Sequence, residues 1–327
     1  MSPVVLVTDH PAPTTVIEAK LLAAIGGELL VAVSGDEAEL VALAHDADAI
    51  LTCFRNVTPA VVRAGARLRV IGRYGVGVDN IAVSTATELG IPVTNVPDYC
   101  TDEVAEHAIG LLLALGRGIR RYDAAIRTGD WAITSAMPLH RLTGSTLGIV
   151  GFGRVGRAVA RRAAGLGLRL LIASPSTTQA DADPFGAEVT DLDDLLARSD
   201  AVTIHAPLTS QTRHLMDARR LALLRPSAIL VNCARGGLID PDALADALSS
   251  GRLAGAGLDV YEPERLPVDH PLLRLDNAVL TPHVAFYSEE SMAELQRRAT
   301  QNVIEVLSGR EPEDVVNGVA VTPTAQA

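Results

Sequence analysis

The chain has 327 residues, of which 48% are hydrophobic and 20% charged, and its formal net charge is −11. That length suits two domains with well-buried cores, and the composition excludes a disordered or fibrous chain. The acidic balance speaks against nucleic acid or anionic membrane as partners. The widely spaced Cys53, Cys100 and Cys233 form no disulfide framework and no paired metal motif, which suits a reducing compartment.

The chain opens on the strand-like run Val4–Val7, with no basic segment or cleavage site of a signal peptide, and no apolar run reaches the length of a membrane span. A cytoplasmic protein without bound metal is expected. Further strand-like runs at Leu29–Val33, Ala49–Thr52, Arg69–Gly72 and Pro92–Thr94 alternate with helical stretches near Thr14–Ile25, Asp36–Ala44, Pro59–Ala64 and Val83–Leu89. Alternation of this kind predicts a parallel sheet. Thr101–Arg121 is too long and apolar for a linker and reads as a largely buried helix packed between domains.

From Gly144 the alternation restarts, with strands expected at Leu147–Val150, Arg169–Ala173, Ala201–His205, Ala228–Asn232, Gly255–Asp259 and Ala278–Leu280. A helix is expected over Asp191–Arg198, with Thr190 and Asp193 spaced as a capping box. A second long helix is expected over Ser291–Leu307, and the tail from Val321 is expected to fray. The fold class is therefore α/β: two parallel-sheet lobes with a cleft between them.

Leu147–Val150 runs straight into Gly151-Phe152-Gly153-Arg154-Val155-Gly156, and a helix-compatible stretch follows. In that context Gly151 makes the tight turn, Gly153 lets the backbone approach a pyrophosphate, and Gly156 lets helix pack closely on strand. An acidic residue is expected about 20 residues further on, to bond the ribose 2′-hydroxyl of NAD. Ser174 stands there instead, followed by hydroxyl residues, and the first acids are Asp181 and Asp183. The expected cofactor is thus NAD or NADP with a weakened preference for NAD. Arg154 is the cation placed to reach a 2′-phosphate.

Polar residues then recur at the carboxyl ends of successive expected strands, the edge where open α/β sheets bind ligands. They are His205 (before Ala206 and Pro207), Arg235 (in the run from Asn232), Asp259, Glu264 and His283. Taken singly, Arg235 reads as a surface ion-pair donor, His283 as a loop histidine and Asp259 as a turn former. Their shared edge, downstream of a phosphate loop, favours chemistry. Arg235 offers a planar fork of donors to a carboxylate and carbonyl oxygen. His283 exchanges a proton near neutral pH, and Glu264 fixes its tautomer and raises its pKa if the two meet.

Four blocks together resemble the D-isomer-specific 2-hydroxyacid dehydrogenase family: Gly151–Gly156, the run from Asn232 to Asp240, the run from Leu258 to Glu264, and Thr281-Pro282-His283. The resemblance covers nearly the whole chain and implies a catalytic set of Arg235, Glu264 and His283. It places Asp259 at the nicotinamide carboxamide, with His205, Ala206, Pro207, Cys233 and Ala234 in the cofactor shell. It also implies a split flavodoxin-like substrate domain (residues 1–98 and 287–327), a Rossmann domain (residues 99–286) and a homodimer formed largely through the latter.

A second glycine cluster, Gly72 to Gly77, has the wrong order for a nucleotide loop. It is either a flexible turn or, as the resemblance implies, a cradle in which the Val76 and Gly77 N–H groups hold the substrate carboxylate. Arg73 before it is a further substrate-binding candidate. Phe286 and Tyr287 stand where the family places small residues. With Arg73 and the run from Asn95 to Glu103 they are similar to the C-terminal-binding-protein branch, which includes transcriptional corepressors. Phe286 either favours a hydrophobic 2-oxo acid or packs a domain interface. The function expected is hydride transfer between a nicotinamide cofactor and a 2-oxo acid or D-2-hydroxy acid. The alternative is a cofactor-sensing, corepressor-like binding protein with vestigial catalysis.

Overall fold

Short aliphatic runs, many of them buried on both faces as parallel strands require, build two α/β units in the computed structural model, which describes residues 2–321. The first unit runs up to Tyr99 and resumes at Ser288. Its strands are β1 (Val4–Val7), β2 (Glu28–Val31), β3 (Ala49–Thr52), β4 (Val70–Arg73) and β5 (Val93–Thr94), all parallel in the order β2-β1-β3-β4-β5. Leu6, Ile50, Ile71, Val61 and Val93 meet in its core.

The helices Val16–Ala23 and Glu289–Leu307 of this unit enclose a buried polar network. Glu18 is fully buried and accepts hydrogen bonds from Tyr74 Oη (3.0 Å) and Gln296 Nε2 (3.0 Å). Burial next to Glu18 pushes the Tyr74 phenol well above its ordinary pKa. Tyr74 lies at the end of β4, so the network anchors the glycine loop that follows.

The second unit, Cys100–Tyr287, holds β6 (Thr146–Val150), β7 (Arg169–Ala173), β8 (Ala187–Val189), β9 (Ala201–Ile204), β10 (Ile229–Asn232), β11 (Gly255–Leu258) and β12 (Ala278–Leu280). All are parallel, in the order β12-β11-β10-β9-β6-β7-β8. Alternate residues of each strand feed two cores. Leu147, Ile149, Ile172 and Val231 face the helices Thr101–Gly116 and Arg154–Gly165, while Leu171, Ile204 and Leu230 face Leu195, Leu244 and Leu248. The sheet therefore has helices on both faces. Connections leave β6 toward β7 on one side and return to β9 on the other, so the loop after β6 sits at the point where strand order reverses, which is where such sheets bind ligands.

Three local expectations change. The helix expected over Thr101–Arg121 ends at Gly116, because Gly118 adopts a left-handed conformation and starts a separate helix, Ile119–Arg127. The first of these helices belongs to the second unit, with Ala105, Ala108, Leu111 and Leu112 in its core. The cap of the helix Leu192–Arg198 is Asp191, accepting from Asp194 N, while Thr190 Oγ1 donates to the Asp194 carboxylate at 2.7 Å. β8 is an additional edge strand. The expected fraying falls on residues 322–327, outside the described residues, whereas Val321 is buried and donates to Glu311. Among the described residues no helix is long and apolar enough to cross a membrane.

Candidate dinucleotide and acid–base site

The loop after β6 is built as its glycines require. Gly151 has φ +89°, and a Cβ there would lie 2.7 Å from the backbone of His205 and Ala206, so the turn is pressed against the end of β9. A Cβ at Gly156 would lie 2.4 Å from Gly151 O. At Gly153 a Cβ would meet nothing within 4 Å: this face of the loop is open, and the helix Arg154–Gly165 begins directly behind it. An open backbone cradle at a helix start at the switch point fits a pyrophosphate. Phe152 is buried edge-on against Phe185 (5.2 Å between centroids), and Val155 packs on the same core.

Ser174 directly follows β7, half-buried, and its carbonyl accepts from Thr177 N. Asp181 belongs to the next helix, where it caps Thr178 and pairs with Arg157 at 3.2 Å. Arg157 also lies over the Phe152 ring at 4.7 Å, whereas Arg154 is exposed. His205 ends β9 with its Nε2 2.9 Å from Thr203 Oγ1, and burial lowers its pKa to about 4, so it is a neutral imidazole at neutral pH. Ala206 is half-buried beside the Gly151 turn and Pro207 is exposed.

After β10 the buried Asn232 organises the next loop: its Oδ1 accepts from Ala234 N (3.0 Å) and its Nδ2 donates to Arg235 O (2.9 Å). Arg235 is half-buried, in extended backbone, and its Nη1 donates to Ala234 O at 2.8 Å. The loop leaves through Gly236, where a Cβ would sit 1.9 Å from Tyr261 O. Only glycine fits there. Cys233 is buried, and burial followed by the nearby Asp259 charge pushes its thiol pKa up, which keeps it inert.

Asp259 is fully buried at the end of β11. Its Oδ1 accepts from Thr281 Oγ1 (2.5 Å) and Val284 N (3.0 Å), and its Oδ2 accepts from Ala285 N (2.9 Å), while its carbonyl accepts from His283 N (2.8 Å). This carboxylate therefore shapes the loop that carries His283. His107 supports it from the helix Thr101–Gly116, with Nε2 2.9 Å from Thr281 Oγ1. The Tyr261 hydroxyl lies within hydrogen-bond distance of Leu258 O (2.9 Å) and Thr281 O (2.8 Å), tying the two loops together. His283 has φ +55°, a left-handed conformation that costs a non-glycine residue about 1 kcal/mol, and Asp259 holds it there.

His283 Nδ1 lies 2.6 Å from Glu264 Oε1. With the Nδ1 proton directed at the carboxylate, the tautomer is set and Nε2 is the nitrogen that exchanges a proton elsewhere. Phe286 stands edge-on to the imidazole, 6.1 Å between centroids, and Tyr287 is exposed. The second unit thus assembles Glu264 with His283, carries Arg235 at the same sheet edge, and holds Asp259 beneath the His283 loop.

Arg73, Val76 and Gly77 belong to the first unit. The Arg73 side chain is buried, with Nη1 3.7 Å from Cys53 Sγ and also donating to Tyr74 O, and with its Nε unpartnered. The guanidinium folds under its own loop, a support for the loop more than a contact reaching outward. Val76 is exposed, its carbonyl accepts from Asn95 Nδ2 (2.7 Å), and among the described residues neither Val76 N nor Gly77 N meets a protein acceptor. Sequence reasoning gave no role to His107, Tyr261, Thr281 or Asn232; the last three carried a signal only as members of the blocks that contain Glu264, His283 and Arg235. Among the described residues no group of three His, Cys, Asp or Glu side chains is arranged to hold a metal ion.

Residues 109–285 match the family model described as D-isomer specific 2-hydroxyacid dehydrogenase, NAD binding domain. The chain is 41% identical over 315 residues to D-3-phosphoglycerate dehydrogenase of Methanocaldococcus jannaschii, covering 96% of this chain and 59% of that protein. It is 42% identical over 283 residues to glyoxylate reductase of Pyrococcus furiosus, covering 83% of each. Among solved structures, an NADPH-dependent glyoxylate/hydroxypyruvate reductase from Sinorhizobium meliloti, in complex with NADP and malonate, superposes with a TM-score of 0.87 at 30% identity, over 100% of both chains.

Proposed function

The chain belongs to the D-isomer-specific 2-hydroxyacid dehydrogenases, a family of NAD(P)-dependent oxidoreductases, and on that premise we propose that it reduces a 2-oxo acid to the D-2-hydroxy acid. The observation that carries this reading is the 2.6 Å contact between His283 and Glu264 on the sheet edge that also bears Arg235 and the dinucleotide loop. The nicotinamide, when bound, supplies or accepts the hydride. His283 gives the proton from Nε2 to the substrate carbonyl oxygen, Glu264 stabilises the imidazolium, and Arg235 holds carbonyl and carboxylate oxygens in its fork. The N–H groups of Val76 and Gly77 are assigned the substrate carboxylate. The glyoxylate reductase and phosphoglycerate dehydrogenase relatives support an oxidoreductase over a corepressor-like sensor. Phe286, edge-on to the His283 ring, favours a 2-oxo acid with an apolar side chain.

Two measurements test the reading. Loss of nicotinamide absorbance is expected when the purified protein meets reduced cofactor and a panel of glyoxylate, hydroxypyruvate, pyruvate and bulkier apolar 2-oxo acids. No turnover across the panel sinks the proposal. With Ser174 in place of an acid, discrimination between NADH and NADPH is expected to stay under about tenfold, since one charge–phosphate contact is the difference at stake. A larger preference for NADH contradicts that assignment.

The same reading includes a homodimer formed through the second unit. The segment after Gly118 exposes Ile119, Ile126, Trp131 (80%), Ile133 (77%) and Met137, and large apolar side chains exposed close together in one segment favour an interaction surface. Sedimentation is expected to give a dimer for the wild type and a shift toward monomer for Trp131→Glu; a monomeric wild type refutes it.

A further inference from the structure

A second histidine–carboxylate pair lies two residues from Glu264 and takes no part in the chemistry above. His214 Nε2 is 2.8 Å from Glu262 Oε2, and Arg213 Nη2 is 2.5 Å from Glu262 Oε1, so both carboxylate oxygens are engaged. Burial pushes the Glu262 carboxyl up, and the bonds from His214 and Arg213 more than offset it, leaving the pKa lowered and the group ionised at neutral pH. His214 has φ +49°, the second non-glycine residue held in the left-handed region. Its own N–H donates to Gly237 O at 2.7 Å. Two residues on, Met216 N donates to Leu238 O (2.9 Å) and pairs with Ile239 in a parallel bridge.

These contacts place Glu262 at a junction. On one side the segment from His214 to Met216 is stitched to the loop that leaves Arg235, through Gly237 and Leu238. On the other side Glu262 is joined through Pro263 to Glu264, which meets His283. Gly236 brings the two loops into direct contact against Tyr261 O, leaving no slack between them. The left-handed backbone of His214 is conformationally unfavourable and persists only where surrounding contacts over-determine it. Here those contacts are Gly237 O behind it and Glu262 in front.

We propose that Glu262 and His214, with Arg213, form a clamp that fixes the loop carrying Arg235 relative to the loop carrying Glu264, so that the group that binds the carbonyl stays in register with the carboxylate that orients the proton donor His283. Glu262, His214 and Arg213 act here as positioning residues. The clamp rests on the dehydrogenase reading for its catalytic consequence, but its geometric consequence, the placement of Glu264 on His283, does not depend on any substrate.

Glu262→Ala in the full-length protein is expected to lower kcat about tenfold, because misplacement of a catalytic group by a fraction of an ångström has effects of this order. KM for the 2-oxo acid and the affinity for NADH should change far less. Glu262→Gln, which keeps an oxygen for His214 or Arg213, should recover most of kcat. His214→Asn, which suits the left-handed backbone and is too short to reach Glu262, should behave like Glu262→Ala. The imidazole N–H proton of His283 in the NMR spectrum, identified by its disappearance in His283→Asn, should shift or broaden in Glu262→Ala and stay in place in Glu262→Gln. Wild-type kcat in both disruptive variants overturns the clamp, as does an unmoved His283 proton, or a fall in Tm with kcat per folded site unchanged. If the wild type itself turns over no 2-oxo acid, the dehydrogenase reading falls, and the His283 proton alone then decides the clamp.

Discussion

Replacing His283 with alanine is expected to lower kcat by about 10²–10⁴-fold, the usual worth of a positioned acid–base group, while NADH affinity stays at its wild-type value. The size of the effect follows from how completely the site commits this imidazole. Glu264 takes Nδ1 at 2.6 Å, leaving proton exchange to Nε2. The loop around it is held independently of the ring, by Asp259 accepting from Thr281, Val284 and Ala285 and by the His283 backbone N–H donating to Asp259 O. Truncation at residue 283 therefore removes a proton donor and leaves its frame standing. Because φ is +55° here, His283→Asn is the useful companion: asparagine tolerates that backbone better than alanine and cannot do the chemistry. Both variants should be equally slow and should bind NADH alike in a fluorescence titration. If either turns over at the wild-type rate, His283 is not the acid–base group.

The glycine loop and the strand runs were readable because each answers to a local rule. Leu147–Val150 is a buried aliphatic run, and Gly151 has to follow it, since only glycine takes φ +89° with its Cα against the end of β9. The alternation of strand and helix likewise gave parallel strands whose ends fall within a residue or two of those expected, though not their order in the sheets. β8 escaped because Ala187–Val189 is three residues long with a charged centre, and an edge strand of that length has no period to read. The break at Gly118 escaped because the apolar pattern runs on through Ile119; the left-handed residue that ends the helix is visible only as a glycine.

The site divides along the same line. Arg235, Glu264 and His283 announce themselves as reactive side chains at strand ends. What holds them does not, because the pairings join residues far apart in the chain: His107 to Thr281, Tyr261 to Thr281, Glu262 to His214. No spacing rule links position 214 to 262. Asp259, which the family resemblance puts at the nicotinamide carboxamide, also frames the acid–base residue: both of its oxygens accept hydrogen bonds from the His283 loop, a role that no spacing in the sequence announces. Arg73, a substrate-binding candidate standing before a glycine cluster, turns its guanidinium onto Tyr74 O, a contact with its chain neighbour that the sequence does not reveal.

Arg235→Gln is the other substitution expected to be severe, with kcat/KM reduced by about 10²–10³-fold, the typical loss when one preorganised donor to a developing oxyanion is removed. The preorganisation is visible in the loop. Asn232 clamps it from within, through Ala234 N and Arg235 O, and Gly236 presses it against Tyr261 O with no room for a side chain. The guanidinium is thus delivered on a backbone that cannot adjust to a shorter replacement. Lysine keeps the charge but replaces a planar fork with a single ammonium, so it can meet one oxygen at a time. Arg235→Lys should therefore fall between the wild type and Arg235→Gln, with the loss in kcat exceeding the rise in KM, because carbonyl charge is greatest in the transition state. A binding-only role for Arg235 gives the opposite split, a raised KM at wild-type kcat, and steady-state kinetics of the two variants with one good 2-oxo acid distinguishes them.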